Sequence, residues 1–200
     1  MKKFLFLAVS LLFTANLFAQ HEVGTFTLQP KIGMNIANIT GEDDTDPRIG
    51  LAIGVEGEYQ IHQMFSLSAG LLFSMQGAKE EGYLMGYKSK LTDKLNYLNI
   101  PIMANLYVVK GLALKVGIQP AFNLAAAYEL KMGGESESGD LDDLGVDIKS
   151  FDFAIPVGLS YEYKNFVIDG RYNIGVTKLV DEDSSKNSVF QFTLGYKFQL

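Results

Sequence analysis

Nine charged residues that lie on the polar faces of alternating segments are the best candidates for chemistry in this sequence. Glu56 and Glu58 lie two positions apart, and Asp169 and Arg171 repeat that spacing with opposite charges. Side chains two positions apart on a β-strand point to the same face. The pattern therefore predicts an inward-facing network of acids and bases that forms salt bridges. Its members are Lys31, Glu56, Glu58, Lys115, Asp152, Glu162, Asp169, Arg171 and Lys197.

Catalytic and metal-binding chemistry lack their usual residues. The chain has no cysteine, and its only histidines are His21 and His62. A nucleophile–histidine triad or a zinc site would lack its parts. The acidic runs 42–46 and 181–183 offer oxygen ligands to hard cations, but neither has EF-hand spacing, so solvated loop tips are the favoured interpretation. We therefore expect no enzyme activity, no cofactor and no metal site.

Eight segments with a period of two must position the charged residues. In each segment one face is apolar and uncharged, whereas the other is polar or small. The segments are Phe26–Ile36, Ile49–Ile61, Phe65–Gln76, Leu98–Val108, Leu112–Leu124, Phe151–Tyr163, Phe166–Val176 and Phe190–Leu200. A tilted strand needs about 9–11 residues to cross a bilayer, whereas a soluble strand has about 5–6.

These segments predict an all-β fold, an eight-stranded antiparallel up-and-down transmembrane β-barrel. A closed barrel leaves no unpaired strand edge in lipid. The small residues of the polar face suit a narrow interior, and the bulky residues of the other face suit lipid. The alternative, a soluble β-sandwich with packed apolar faces, is disfavoured by the strand length.

The connecting segments alternate between long and short. This alternation places both termini at the end of the short turns, which face the periplasm in bacterial barrels, with the long loops outside. The long connectors are Asn38–Arg48, Ala78–Lys94, Ala127–Lys149 and Lys178–Asn187, and the short ones are His62–Met64, Val109–Gly111 and Lys164–Asn165. Within the third long connector, acids mixed with Gly and Ser over 135–143 indicate a mobile segment.

Four of the five prolines fall inside the predicted strands, at Pro30, Pro101, Pro120 and Pro156. Proline donates no hydrogen bond to a β-ladder and usually marks an edge or a bulge. A closed barrel has no edge, so we expect bulges or local bending at these sites.

The N-terminal segment has the pattern of a secretory signal. Lys2 and Lys3 precede an apolar run over Phe4–Phe13, and Ala19 occupies a plausible cleavage position. The run is too short for a membrane anchor. We expect residues 1–19 to be a signal peptide and residues 20–200 to be the barrel domain. Removing two lysines takes the net charge from −6 to −8, which disfavours nucleic acid as a partner.

The sequence resembles the small outer-membrane β-barrels of Gram-negative bacteria that are often labelled "porin family". The resemblance extends over residues 20–200 and is carried by four segments: Pro30–Asn35, Tyr97–Pro101, Asp169–Gly175 and Phe192–Phe198. The sequence differs from the family at Asn99, where the family often has Glu, and at the C-terminus, which extends past Phe198. The family name does not by itself imply pore activity.

Three functions fit such a barrel. In the first, the barrel anchors the protein and its loops contact envelope or external partners, while side chains fill the lumen. The second is a narrow pore for ions or small solutes, and the third is an enzyme acting on outer-membrane lipid. The first is favoured, because the lumen of eight strands is just wide enough for side chains. The expected partners are outer-membrane lipid, the barrel assembly machinery and an unidentified loop ligand, and we expect a monomer in the outer membrane.

Overall fold

The computed structural model describes residues 22–41, 45–84, 87–180 and 184–200, and most of these residues are in β-strands. The predicted signal peptide lies outside the described residues. The strands are β1 (Phe26–Thr40), β2 (Thr45–His62), β3 (Phe65–Gln76), β4 (Ala78–Leu84), β5 (Tyr87–Asn99), β6 (Ile102–Val109), β7 (Leu112–Met132), β8 (Glu135–Asp140), β9 (Phe151–Tyr163), β10 (Phe166–Gly175), β11 (Lys186–Tyr196) and β12 (Phe198–Gln199), with a 3₁₀ helix, η1 (Leu141–Leu144), after β8. No helix in these ranges has the length and apolar character needed to cross a membrane.

In the described ranges, the twelve segments form eight barrel strands and one short return strand. β3 continues into β4 past Gly77, β5 into β6 past residues 100–101, and β11 into β12 past Lys197, while β8 folds back on β7. Each barrel strand pairs antiparallel with the next. β1 also pairs with β11, from Lys31 opposite Gly195 to Thr40 opposite Lys186, which closes the sheet. The predicted eight-stranded antiparallel barrel is confirmed.

The two faces of the strands have the polarity of a membrane barrel. Outward-facing apolar side chains are exposed, for example Ile49 at 64% and Ile168 at 62%, while inward-facing polar residues such as Gln191 are fully buried. A soluble protein has the reverse arrangement. Aromatic rings meet in pairs toward both ends of the wall, with Phe166 and Tyr196 5.1 Å apart near the turns and Tyr172 and Phe190 4.4 Å apart toward the loops. Such rings favour the headgroup zone.

The long connectors are shorter than predicted, because the strands continue beyond the membrane. β1 and β2 leave only residues 41–44 between them, and β4 and β5 leave only 85–86. The segment 135–143 of the third connector, for which the sequence indicates mobility, has regular structure, since β8 pairs with β7 and η1 follows directly. Outside lipid a strand does not need an uncharged outer face, so these extensions lack the pattern that identifies the membrane strands. The three short turns lie at 63–64, 110–111 and 164–165.

Of the bulges or local bending expected at the strand prolines, no bulge forms, because the register does not shift there. Three of the four prolines lie in ladders whose register is unchanged: Pro30 is opposite Val55, Pro120 is opposite Phe153 and Pro156 is opposite Asn173. Pro101 interrupts the strand between β5 and β6, yet the register against β3 is the same on both sides. Proline removes one N–H donor but adds no residue, so the ladder loses a bond without slipping. The shifts lie at Gln60/His62, Asn96/Tyr97 and Tyr107/Val109.

Candidate functional site

The middle of the barrel interior holds a cluster of five charged side chains, which we call the central cluster: Lys31, Glu56, Lys115, Asp169 and Arg171. The Glu56 carboxylate accepts from Lys31 Nζ and Lys115 Nζ at 3.0 Å each and from Arg171 Nη2 at 3.2 Å. Asp169 accepts from Lys115 Nζ at 2.9 Å and from Arg171 Nε at 2.8 Å. Three cations thus share two carboxylates, and all five side chains are buried.

The central cluster connects opposite walls of the barrel. Counted around the barrel, Lys31 is on the first strand, Glu56 on the second, Lys115 on the fifth, and Asp169 and Arg171 on the seventh. The contact of Lys115 with Glu56 therefore crosses the lumen from the second strand to the fifth. Alternation aims each side chain inward, and closure of the sheet brings their ends together.

Closer to the short turns lies a second group, the turn-side cluster, formed by Glu58, Tyr107, Glu162 and Lys197. Lys197 Nζ lies 2.8 Å from a carboxylate oxygen of both Glu58 and Glu162. Tyr107 donates to Glu58 and accepts from Lys197 at 3.2 Å. These residues come from the second, fourth, sixth and eighth barrel strands, so this cluster also spans the lumen.

Asp152 is the one predicted member that the structure separates from both clusters. It lies toward the loops, where Asn187 Nδ2 donates to its carboxylate at 2.9 Å and the Phe153 backbone N–H at 2.8 Å. The Thr177 hydroxyl also donates to it. All nine predicted residues are buried, and eight of them join in the two clusters.

Several interior residues were missed from the sequence because they carry no charge. Asn35 donates to Ser74 Oγ at 2.9 Å and accepts from Gln191 at 2.9 Å, which forms an uncharged polar layer. Tyr107 was also missed, since a tyrosine on a strand equally suits the lipid interface. Arg48 is inward and buried, but the sequence placed it at the end of a predicted loop. It donates to the backbone oxygen of Gln76.

At the loop end, apolar side chains cover the polar interior. This apolar cap consists of inward-facing residues of the upper barrel wall and residues of the third and fourth loops. Its buried members are Ile39, Ala78, Leu95, Tyr97, Ala121, Leu141 and Leu179, and Ala126, Tyr128, Val146, Ile148 and Val180 pack against them. Leu141 is the first residue of η1. Gly145 caps the end of this helix with a φ of 76°, in the left-handed region that glycine favours.

Above the cap, the hairpins carry exposed ion pairs. Glu81 lies 2.8 Å from Lys88 Nζ and 2.9 Å from Lys90 Nζ. Hydrogen bonds from the two lysines lower the pKa of Glu81 to about 2, and the same contact raises the pKa of Lys88. Exposed pairs of this kind contribute little to stability. Over the described residues, no group of three or more His, Asp or Glu side chains has the arrangement of a metal site.

Comparison with solved structures gives the same architecture at low sequence identity. Ail, the attachment invasion locus protein of Yersinia pestis, in complex with the heparin analogue sucrose octasulfate, is 14% identical, with a TM-score of 0.50 over 88% of this chain and all of Ail. Neisserial surface protein A is 13% identical, with a TM-score of 0.47 over 86% of this chain and 97% of that one. OprG of Pseudomonas aeruginosa is 13% identical, with a TM-score of 0.41 over 90% and 99%. At these identities the likeness concerns the fold alone.

The family comparison extends over most of the chain. Residues 18–181 match the family model described as an outer membrane protein beta-barrel domain, whereas a search of curated proteins gives no match. The match includes all barrel strands except the last, and the last strand completes the same closed sheet. The chain therefore belongs to the outer membrane protein beta-barrel domain family, and this membership implies that it resides in the outer membrane.

Proposed function

We propose that the protein is an anchored interaction barrel whose lumen is closed and whose extracellular hairpins contact envelope or external partners. Closure of the lumen is supported above all by the pairing of Glu56 with three cations from the first, fifth and seventh barrel strands. Two carboxylate oxygens thereby tie opposite walls together across a lumen that is only side-chain wide.

Two further layers support closure. The turn-side cluster links the second, fourth, sixth and eighth barrel strands through Lys197. The apolar cap covers the loop end. A hydrated ion entering this path would have to displace buried salt bridges and then pass an apolar layer. Removing one partner from a buried ion pair costs about 3–5 kcal/mol, so spontaneous opening is disfavoured.

We further propose that the protein is exported, is a monomer and has no enzyme activity. Its partners are outer-membrane lipid around the wall, the barrel assembly machinery during insertion, and a loop ligand, with no role for nucleic acid. The signal-like segment 1–19 and the acidic composition support export and disfavour nucleic acid. β4, β5 and β8 extend the hairpins past the membrane wall, and they supply the surface for a partner.

Conductance in a planar bilayer tests this function. We expect the purified wild-type barrel to show no steady current. The double variant Glu56→Ala/Lys115→Ala removes the contact between the second and fifth strands, and we expect it to produce small, irregular openings. A matched control, Glu81→Gln/Lys88→Gln, alters an exposed ion pair of the hairpins and should remain silent. Reproducible wild-type conductance that is abolished by altering Arg171 or Glu56 would instead establish the narrow pore.

A further inference from the structure

The apolar cap lines a partly open cavity of about 240 Å³ at the loop end of the barrel. One side of the cavity is formed by the upper barrel wall, including Ile39 and Leu95, and the other by the loops, including Leu141, Val146 and Leu179. Small-molecule pockets typically measure about 300–1,000 Å³ and combine apolar walls with a few placed polar groups. This cavity has the apolar walls, and its size suits a small ligand.

Two carboxylates and the hydroxyl of Ser185 are the polar side-chain groups that line this cavity. Glu80 and Asp93 both line it, and no lysine or arginine does. The charge of Arg48 reaches Asp93, but Arg48 donates its hydrogen bond to the Gln76 backbone oxygen. Within the described ranges, neither carboxylate has a salt bridge. Burial and the neighbouring Glu80 raise the pKa of Asp93 to about 6, and the opposing charge of Arg48 does not cancel this rise.

We propose that the cavity is a binding site for a small organic cation with an apolar body, of the class of primary alkyl- and arylamines. The aliphatic walls accommodate the body, and Glu80 and Asp93 accept hydrogen bonds from the ammonium group. A small anion is disfavoured by the same two carboxylates. Closure of the lumen requires no ligand in the cap, so this binding site is independent of the proposed function.

Benzylammonium is a suitable probe, because its ring shifts the NMR signals of nearby methyl groups. The full barrel domain, with labelled Ile, Leu and Val methyls, is titrated in lipid nanodiscs at pH 8. Benzyl alcohol serves as the neutral isostere and phenylacetate as the anionic one. The variant Glu80→Gln/Asp93→Asn keeps the cavity but removes its charges. The control Glu81→Gln removes the adjacent carboxylate, which does not line the cavity.

We expect saturable shifts at the Ile39 and Ile148 methyls with benzylammonium. The affinity should fall at least tenfold in Glu80→Gln/Asp93→Asn and remain unchanged in Glu81→Gln. Shifts that do not saturate and are equal in all three proteins would show partition into lipid and overturn the proposal. Equal affinity of the wild type for benzyl alcohol and benzylammonium would also overturn it. The methyl spectra themselves show whether each variant is folded.

The pH dependence provides a second test of the same site. Asp93 loses its charge as the pH falls through about 6, so benzylammonium binding should weaken over that range in the wild type. The charges that act on Asp93 are those of Glu80 and Arg48, and Tyr128 lies opposite it on β7. Arginine keeps its charge throughout. An affinity that is constant between pH 8 and pH 5 would contradict the assignment of Asp93. The bilayer conductance test is independent of either result.

Discussion

At the scale of single residues, Glu56 holds the densest set of charged contacts in the barrel. It is the only carboxylate of the described residues that accepts from three cations, at 3.0–3.2 Å. Asp169 shares two of these cations. The cluster thus has two acids against three bases, and loss of either acid increases the excess of buried positive charge.

The substitution Glu56→Gln should therefore be strongly destabilising. The central cluster would keep three cations with one carboxylate, and we expect a loss on the order of 3–5 kcal/mol in the free energy of unfolding. Urea unfolding from phospholipid vesicles measures this quantity. Glu81→Gln is the matched control, because it breaks two salt bridges of an exposed carboxylate, and its effect should be too small to resolve. Equal losses for both variants would show that burial does not determine the contribution of these pairs.

At the scale of elements, close contact between neighbouring strands depends on glycine. A Cβ added at Gly54 would lie 2.1 Å from the backbone oxygen of Leu71 on the adjacent strand, and one at Gly33 would lie 1.9 Å from the backbone oxygen of Phe192. The neighbouring backbone cannot move aside as a flexible side chain can. The small residues of the polar face thus permit the strand-to-strand approach as well as the narrow interior.

Gly54→Ala tests this requirement against a glycine of the exposed hairpin. We expect Gly54→Ala to lower the free energy of unfolding by about 1–3 kcal/mol, because it overpacks a tight contact. At Gly82 on β4, the nearest atom to an added Cβ is Ser89 Oγ at 3.8 Å, so Gly82→Ala should change stability by no more than about 0.5 kcal/mol. The same urea titration compares the two. A tolerated Gly54→Ala would show that the strands can separate at little cost.

At the scale of the whole molecule, the orientation in the outer membrane follows from the lengths of the connections. The three turns of two residues lie at one end, and the hairpin extensions and cap lie at the other. In bacterial barrels the short turns face the periplasm. We therefore expect the apolar cap and its cavity to face the outside, where a soluble cation would reach them directly.

The absence of cysteine allows single-cysteine labelling to test this orientation. Ser136→Cys places a thiol on β8, and Gln63→Cys places one in the first short turn; both positions are exposed. A membrane-impermeant maleimide should label Ser136→Cys in intact cells and should label Gln63→Cys only after the outer membrane is permeabilised. The opposite pattern would invert the assigned topology, and it would place the cap cavity in the periplasm.

Sequence alone was sufficient to establish the lipid environment of the strands, their number and the inward direction of the nine predicted charges, although it missed Arg48. Each follows from alternation, a local property repeated every second residue, so that uncharged faces such as the one from Ile49 to Ile61 identify lipid-facing strands. The hairpin extensions escaped prediction, because outside lipid the outer face of a strand does not need to be uncharged.

Which inward residues meet depends on the closed barrel. Glu56 and Arg171 are 115 positions apart, and their contact depends on how far each strand is staggered when the barrel closes. That stagger is a property of all eight strands together. For the same reason, the sequence placed Asp152 with the other charges, whereas closure puts it near Asn187 and leaves eight residues to form the two clusters that span the lumen.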